Sequence, residues 1–257
     1  KVNSGEYKLM GLAPYGEPKY TKLIKDKLID IKEDGTFKLD ISYFKYHRGF
    51  RMTSRKFHKL FGRSPRKGET ELSQFHMDIA ASIQAVTEEV VLKLAKSLRE
   101  ETGLKNLCLA GGVALNCVAN GVLLRENIFD NIWIQPASGD AGSSLGGALI
   151  GWHQYHQKER TPNPNDSMKG TYLGPEFNND EVIKYLKKIN APFHTKNDPD
   201  LLDQLADELD KGRVIGWFNG PMEFGPRSLG ARSIIGDPRN QNMQSIMNLK
   251  IKYRESF

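Results

Sequence analysis

The chain has 257 residues, 39% of them hydrophobic and 26% charged, with a formal net charge of +6. That length suits one large domain or two modest ones, and the composition is ordinary for a globular protein. Its longest apolar runs fall far short of the ~20 residues a membrane-spanning helix needs, and no charged, apolar and small-residue leader opens it, so secretion and membrane insertion are not expected.

Residues 4–16 are punctuated by glycines and read as a short helix followed by a turn at Pro14-Tyr15-Gly16. A second short helix is expected over 19–30. Ile31-Lys32-Glu33 and Thr36-Phe37-Lys38-Leu39 flank Asp34-Gly35, a strong hairpin signal. Residues 43–70 are basic, aromatic and irregular, with a loop over Phe61–Arg66. The clearest helix spans 72–102, where Ile79, Ile83, Val86, Val90, Leu94 and Leu98 form one apolar stripe and Gly103 ends the run.

A strand is expected over 105–110, a helix over 114–125, the strand Ile132-Trp133-Ile134, and a Gly/Ala-rich helix over 143–157. This alternation argues for an α/β sheet layer. Residues 158–170 are polar and rich in Pro and Asn, as a linker would be. Beyond them come a short strand near Tyr172, helices over 178–189 and 199–210, and a strand over 214–218. The glycine- and proline-framed segment Asn219–Ile234 follows.

Cys108 and Cys117 are the only cysteines, with no CxxC spacing, and are expected as buried reduced thiols. That points weakly to the cytoplasm. The cations are dispersed except in Lys19–Lys32 and Arg48–Lys67, and no nucleic-acid-binding motif accompanies them. A solvated basic face accounts for them, although phosphorylated small molecules would also use such charges. The six histidines are scattered, and no nucleophile elbow or Ser-His-Asp order is visible.

Four stretches could carry chemistry. The run Leu107–Ala110 stops at Gly111-Gly112, with Asn116 four residues on. Glycines at a strand end let a ligand approach the backbone, and a helix starting there directs free N–H groups at an anion. Gly139-Asp140-Ala141-Gly142-Ser143-Ser144 is a second such loop, one strand later. Asp140 is either an N-cap or the ligand of a divalent cation bridging to phosphates on the Gly142–Ser144 amides. Adjacent βα loops share one sheet edge, where ligands of α/β sheets sit. Glu6, Lys8 and Tyr15 lie among Gly5, Gly11 and Gly16, and Glu6 could accept hydrogen bonds from ribose hydroxyls. Glu223–Arg232 contains Arg227 and Arg232, whose guanidinium groups match phosphate and carboxylate oxygens.

Taken together, Gly5–Gly16, Ala110–Asn116, Ser138–Ser143 and Glu223–Asp237 resemble the O-carbamoyltransferases of the nodulation and antibiotic-tailoring type, in order and spacing across essentially the whole chain. The resemblance implies the second lobe of an actin-like (ribonuclease-H-like) ATPase domain over 1–157, and a linker over 158–170. It implies the start of an α+β domain similar to threonylcarbamoyl-adenylate synthases over 171–257. It further implies ATP and a divalent metal (iron, magnesium or similar) as cofactors. Carbamoyl phosphate and a hydroxyl-bearing small molecule or sugar become the expected partners, without nucleic acid or membrane, and a homodimer is compatible with it.

Carried over, Glu6, Lys8, Gly111, Gly112, Asn116, Gly142 and Ser143 would face the nucleotide. Asp140 would bind metal, and Arg227 and Arg232 would hold carbamoyl phosphate or ATP in the C-terminal domain. No residue is assigned as the catalytic group. The family's paired metal-binding histidines have no counterpart here, and the family pattern has Ala where Ser228 and Gly236 stand. The chain is expected to be a piece of a longer enzyme, inactive alone. A tRNA threonylcarbamoyl-transfer enzyme and a non-catalytic ATP-binding module of the actin-like class are the alternatives.

Overall fold

The structure, a computed structural model, describes residues 5–67 and 70–253, and the side chain of Glu6 lies outside the description. The chain divides into two compact units. Residues 1–109 and 113–134 make the first, and 110–112 with 135–257 make the second.

The first unit is organised by one long helix. After α1 (Glu6–Leu12), a 3-10 turn over Ala13–Tyr15 and α2 (Thr21–Lys27), the chain forms the antiparallel hairpin β1 (Ile29–Ile31) and β2 (Phe37–Leu39). Gly35 at its tip has φ +84° and lies hard against the backbone of Lys93 and Leu94, leaving no room for a Cβ. The basic segment is less irregular than expected, because Ser54 caps a helix, α3 (Arg55–Leu60), by accepting from Phe57 N–H at 3.4 Å. Ile24, Leu28, Tyr43 and Val86 form a core here.

α4 (Gln74–Thr102) is the long helix, closed by Gly103 in the left-handed conformation at φ +65°. Its expected stripe is corrected at one end. Val86 and Val90 are buried, but Leu94 and Leu98 are 39% and 42% exposed and Ala95 is buried instead. Steps of four residues overshoot a 3.6-residue turn by about 40°, so the stripe rotates off the core face by Leu98. The buried face is also partly polar, since Asp78, Ser82 and Gln84 lie on it.

The start of α4 is held by the His76 ring, whose Nδ1 accepts from Ser73 N–H at 3.0 Å. Burial, then the charges of Arg66 and Arg63, push His76 below its ordinary pKa of 6.5. The neutral ring is the form the fold prefers. Its contribution is therefore complete above pH 6.5 and lost as pH falls through the lower folded value. The protection factors of amides in the first turn of α4, taken against the intrinsic exchange rate at each pH, are expected to fall below pH 6.5, and His76→Ala is expected to cost about 1 kcal/mol and abolish that pH dependence. Protection factors that are flat with pH in the unsubstituted protein would refute this.

β3 (Asn106–Leu109) and β4 (Asn131–Ile134) pair in parallel, with Leu109 opposite Ile134, and α5 (Cys117–Arg125) connects them. Leu107, Leu123, Phe129 and Ala95 make the core beneath them. The buried-thiol expectation is corrected, because both cysteines are free and exposed. Side chains alternate along a strand, so with Leu107 inward Cys108 points to the other face, beside its cross-strand partner Trp133, 49% exposed. Cys117 is the first residue of α5, on its outer side.

The second unit contains α6 (Asp140–Ile150), which starts three residues earlier than expected and runs into a π turn over Gly151–Tyr155. Residues 158–167 are irregular and exposed. No strand forms near Tyr172. A 3-10 turn over Lys169–Thr171 takes its place, with positive φ at three successive residues. α7 (Asn179–Lys188) and α8 (Asp198–Asp210) begin on Asn178 and Asn197, each side chain capping an N–H three residues on. β5 (Ile215–Phe218) pairs antiparallel with β6 (Arg232–Ile235), and α9 (Met243–Ile246) follows. No helix among the described residues is long and apolar enough to cross a membrane.

Candidate functional site

Parallel pairing sends the C-terminal ends of β3 and β4 to one edge, as the glycine spacing predicts. In the second unit the two loops that follow are joined directly, Gly111 N–H donating to the Ser138 carbonyl at 2.8 Å. Gly111 holds φ +94°, a conformation that side chains with a Cβ rarely adopt. Ala137 is fully buried, and a Cβ on Gly142 would overlap its carbonyl oxygen, so α6 can begin there only with glycine. Gly225, at φ +146°, packs against the same stretch, its would-be Cβ 2.8 Å from the Pro136 oxygen. Three of the four stretches therefore meet within this unit: 110–112, 136–142 and 223–232.

Asp140 does not cap. The N-cap of α6 is Gly139, without a side-chain hydrogen bond, and the Asp140 and Ser143 side chains are exposed. A metal needs several donors, and no group of three or more His, Cys, Asp or Glu is assembled among the described residues. Asp140 is thus not joined by two further such groups among the described residues.

The most constrained chemistry lies around Glu223, the first residue of the Glu223–Arg232 stretch. One carboxylate oxygen accepts from the N–H groups of Ala231 at 2.7 Å, Leu229 at 3.0 Å and Arg232 at 3.2 Å. Burial raises its pKa, but these backbone bonds and its own outweigh that and hold it at about 2. It stays ionised at any physiological pH and fixes the Arg227–Arg232 loop. A carboxylate followed by a Gly/Pro-framed loop rich in free amides was the available signal for it.

Arg232 stacks on Phe218, with its guanidinium carbon 3.1 Å from the ring centroid. Its Nη1 donates to the carbonyls of Gly220 and Ala231, both at 2.9 Å, while Nε and Nη2 are buried with no partner. Buried donors without acceptors are costly, and a guanidinium edge of this kind suits a carboxylate or phosphate oxygen pair. Ser138 Oγ is likewise buried and unpartnered. Arg227 is exposed on the same loop, and Ser228 Oγ donates to Arg232 O at 2.7 Å. The chain end of residues 158–175 braces the loop, with Tyr172 OH donating to Leu229 O at 2.6 Å and Phe224 N–H to Thr171 O at 2.7 Å.

Other predicted residues sit in the first unit. Asn116 is the N-cap of α5, not a residue inside it. Its side chain accepts from Ala119 N–H at 3.1 Å and donates to Gln84 Oε1 at 2.9 Å, tying α5 to α4. Its amide is thus engaged in structure, through a partner 32 residues away that no local motif reveals. Lys8 lies half-buried on α1, and Glu6, the first residue of α1, was named for a side chain outside the described residues.

These loops belong to a mixed helix/strand protein in which Arg232 keeps two guanidinium nitrogens buried and unpartnered. More particularly, residues 1–149 match the carbamoyltransferase N-terminus and 206–257 the carbamoyltransferase C-terminus, and the chain belongs to the carbamoyltransferase family. It is 63% identical to a Synechocystis protein over its full length and 42% of that protein's. It is 35% identical to nodulation protein NolO of Bradyrhizobium diazoefficiens over 98% of this chain and 43% of the relative. Against nodulation protein U of Sinorhizobium fredii it is 30% identical over 70% of this chain and 30% of the relative. The chain thus spans less than half the length of the curated relatives it matches.

Proposed function

We propose that the longer protein of which this chain is a part is an ATP-dependent O-carbamoyltransferase. In the first step carbamoyl phosphate, ATP and one water yield carbamoyl-adenylate, pyrophosphate and phosphate. In the second, an acceptor hydroxyl attacks the carbamoyl carbon, its proton is removed, and AMP leaves. The observation that carries the reading is Arg232: a guanidinium with two buried, unpaired N–H edges, on a loop clamped by Glu223. Arg232 and Arg227 would hold the phosphate of carbamoyl phosphate or ATP and take up the charge that builds as the phosphoryl group is displaced.

Gly111, Gly112, Gly142 and Ser143 would present amides and a hydroxyl to a nucleotide, and the family resemblance assigns Lys8 and Glu6 to nucleotide contact as well; Asn116, whose amide is held by Ala119 and Gln84, would serve by fixing the start of α5. The first lobe of an actin-like domain would supply the rest. Asp140 would contribute one metal ligand, and the metal, when bound, would stabilise negative charge on the carbonyl and leaving phosphate. The described residues do not complete that site, so no step is derived through it. The 257-residue chain alone is not expected to transfer carbamoyl groups.

The test uses the full-length protein and measures pyrophosphate release from ATP with and without carbamoyl phosphate. Release that depends on carbamoyl phosphate is expected. Release independent of it, or ATP binding without release, would favour threonylcarbamoyl transfer or a non-catalytic ATP-binding module instead.

A further inference from the structure

Between Asp40 and Glu69 the sequence has nine Lys and Arg and no Asp or Glu. The carbamoyl-transfer reading leaves this segment without a role. In the first unit it folds into a braced loop. Phe44 and Thr53 form an antiparallel bridge, and Lys45 N–H donates to Met52 O at 2.9 Å. Ser54 N–H donates to Tyr43 O and Ser54 Oγ to Ser42 O, each at 2.9 Å. Thr53 Oγ1 lies 2.9 Å from His58 Nε2.

The braced base supports a cavity of about 880 Å3, in the size range of small-molecule sites. Phe44, Lys45, His47, Arg48, Phe50 and Arg51 line it. Lys45 and Arg51 also line a neighbouring cavity of about 630 Å3, to which Arg55 contributes. Among the described residues, ion pairs in the segment reach Lys56, through Asp40, but not Lys45, Arg48, Arg51 or Arg55. Phe50 is 100% exposed. Three like charges around the larger concavity, with Arg55 beside the smaller one, repel one another unless an anion joins them. An exposed ring beside them offers a stacking surface.

We propose that this cavity is a binding site for an organic phosphate: a sugar or nucleoside ring carrying one or two phosphate groups. Arg48, Arg51 and Lys45 receive the phosphate and Phe50 covers the ring. Identifying that molecule as the carbamoyl acceptor rests on the transfer reading; the site itself does not. A flat basic face would suit RNA or an anionic membrane, whereas this one is concave and fixed at its base, which favours the small ligand.

The full-length protein is titrated calorimetrically with UDP-glucose, glucose 1-phosphate and glucose, in the presence of a saturating non-hydrolysable ATP analogue that fills the nucleotide site. Both phosphorylated sugars are expected to bind and glucose not to. The tighter of the two tells whether one or two phosphates are accommodated. Arg48→Ala/Arg51→Ala should weaken binding by more than about tenfold, and Arg48→Lys/Arg51→Lys by only about threefold. Phe50→Ala should weaken it by about fivefold. The proposal is overturned if neither phosphorylated sugar binds or if the double alanine variant binds like the unsubstituted protein. It is equally overturned if that variant instead loses affinity for single-stranded RNA or phosphatidylserine vesicles. Pyrophosphate release on the same preparation separates the two ideas. Release indifferent to carbamoyl phosphate, with phospho-sugar binding intact, defeats the transfer reading and leaves the site standing.

Discussion

Arg232→Lys in the full-length protein should lower kcat/KM for carbamoyl-phosphate-dependent pyrophosphate release by about 100-fold, on the order of 2.7 kcal/mol. The magnitude follows from the geometry. Nη1 already serves the Gly220 and Ala231 carbonyls, and the plane of the group lies on Phe218. Nε and Nη2 are the donors left for a ligand. A lysine keeps the charge but cannot bond the loop and a phosphate from one plane, so one or two charge-assisted hydrogen bonds of about 1.5–3 kcal/mol are lost. The loss should appear both in KM for the phosphorylated substrate and in kcat, since the guanidinium also takes up charge that builds during displacement. Ser228→Ala, which removes the hydroxyl's bonds to Arg232 O and Ser233 Oγ, is the control and should change kcat/KM by less than about threefold. A lysine variant as active as the control would remove Arg232 from the site.

Gly142→Ala has the largest expected effect on folding. The new methyl group would fall on the carbonyl of Ala137, a residue that is itself fully buried. Backbone cannot rotate aside as a side chain can. Either α6 moves or the 136–142 loop does, at about 3 kcal/mol by analogy with overpacked cores. The same loop receives Gly111 N–H on Ser138, so its displacement also breaks the junction of the two βα loops. Gly147, five residues along the same helix, meets nothing within 4 Å. Gly147→Ala should therefore stabilise by about 0.5–1 kcal/mol. The pair is read by chemical denaturation with pyrophosphate release alongside. Equal and small effects of the two substitutions would mean that the close approach at Gly142 is not maintained.

Much of this is legible in the sequence. Asp34-Gly35 announced the hairpin, Gly103 the end of α4, and Gly111-Gly112 with Gly139–Ser144 the two loops on one sheet edge. Each is a local signal, because turn and cap chemistry is written in adjacent residues. Long-range pairing was not legible. Asn116 looked like a residue for a ligand, and the Gln84 amide that engages it lies 32 residues away. The thiols looked buried because an apolar run does not say whether one or both faces of a strand are covered. The importance of Glu223 depends on three amides six to nine residues ahead folding back on it. Asp140, by contrast, looked equally like a cap or a ligand, and the cap is now seen to be Gly139.

The polar row on α4 has a consequence for the order of assembly. Glu17 N–H donates to Asp78 Oδ1 and Tyr20 N–H to Ser82 Oγ, both at 2.9 Å and across 61 and 62 residues. Asp78 and Ser82 share a face only once that turn is helical, since four residues in an extended chain would carry them far apart. The acceptors for the 17–20 segment do not exist until α4 has formed. During synthesis at about 5–20 residues per second, the N-terminal segment waits roughly 3–12 seconds for its docking groups to be made. Its first helices therefore cannot dock until residues 78–82 have been made and are helical, although they come first in that unit.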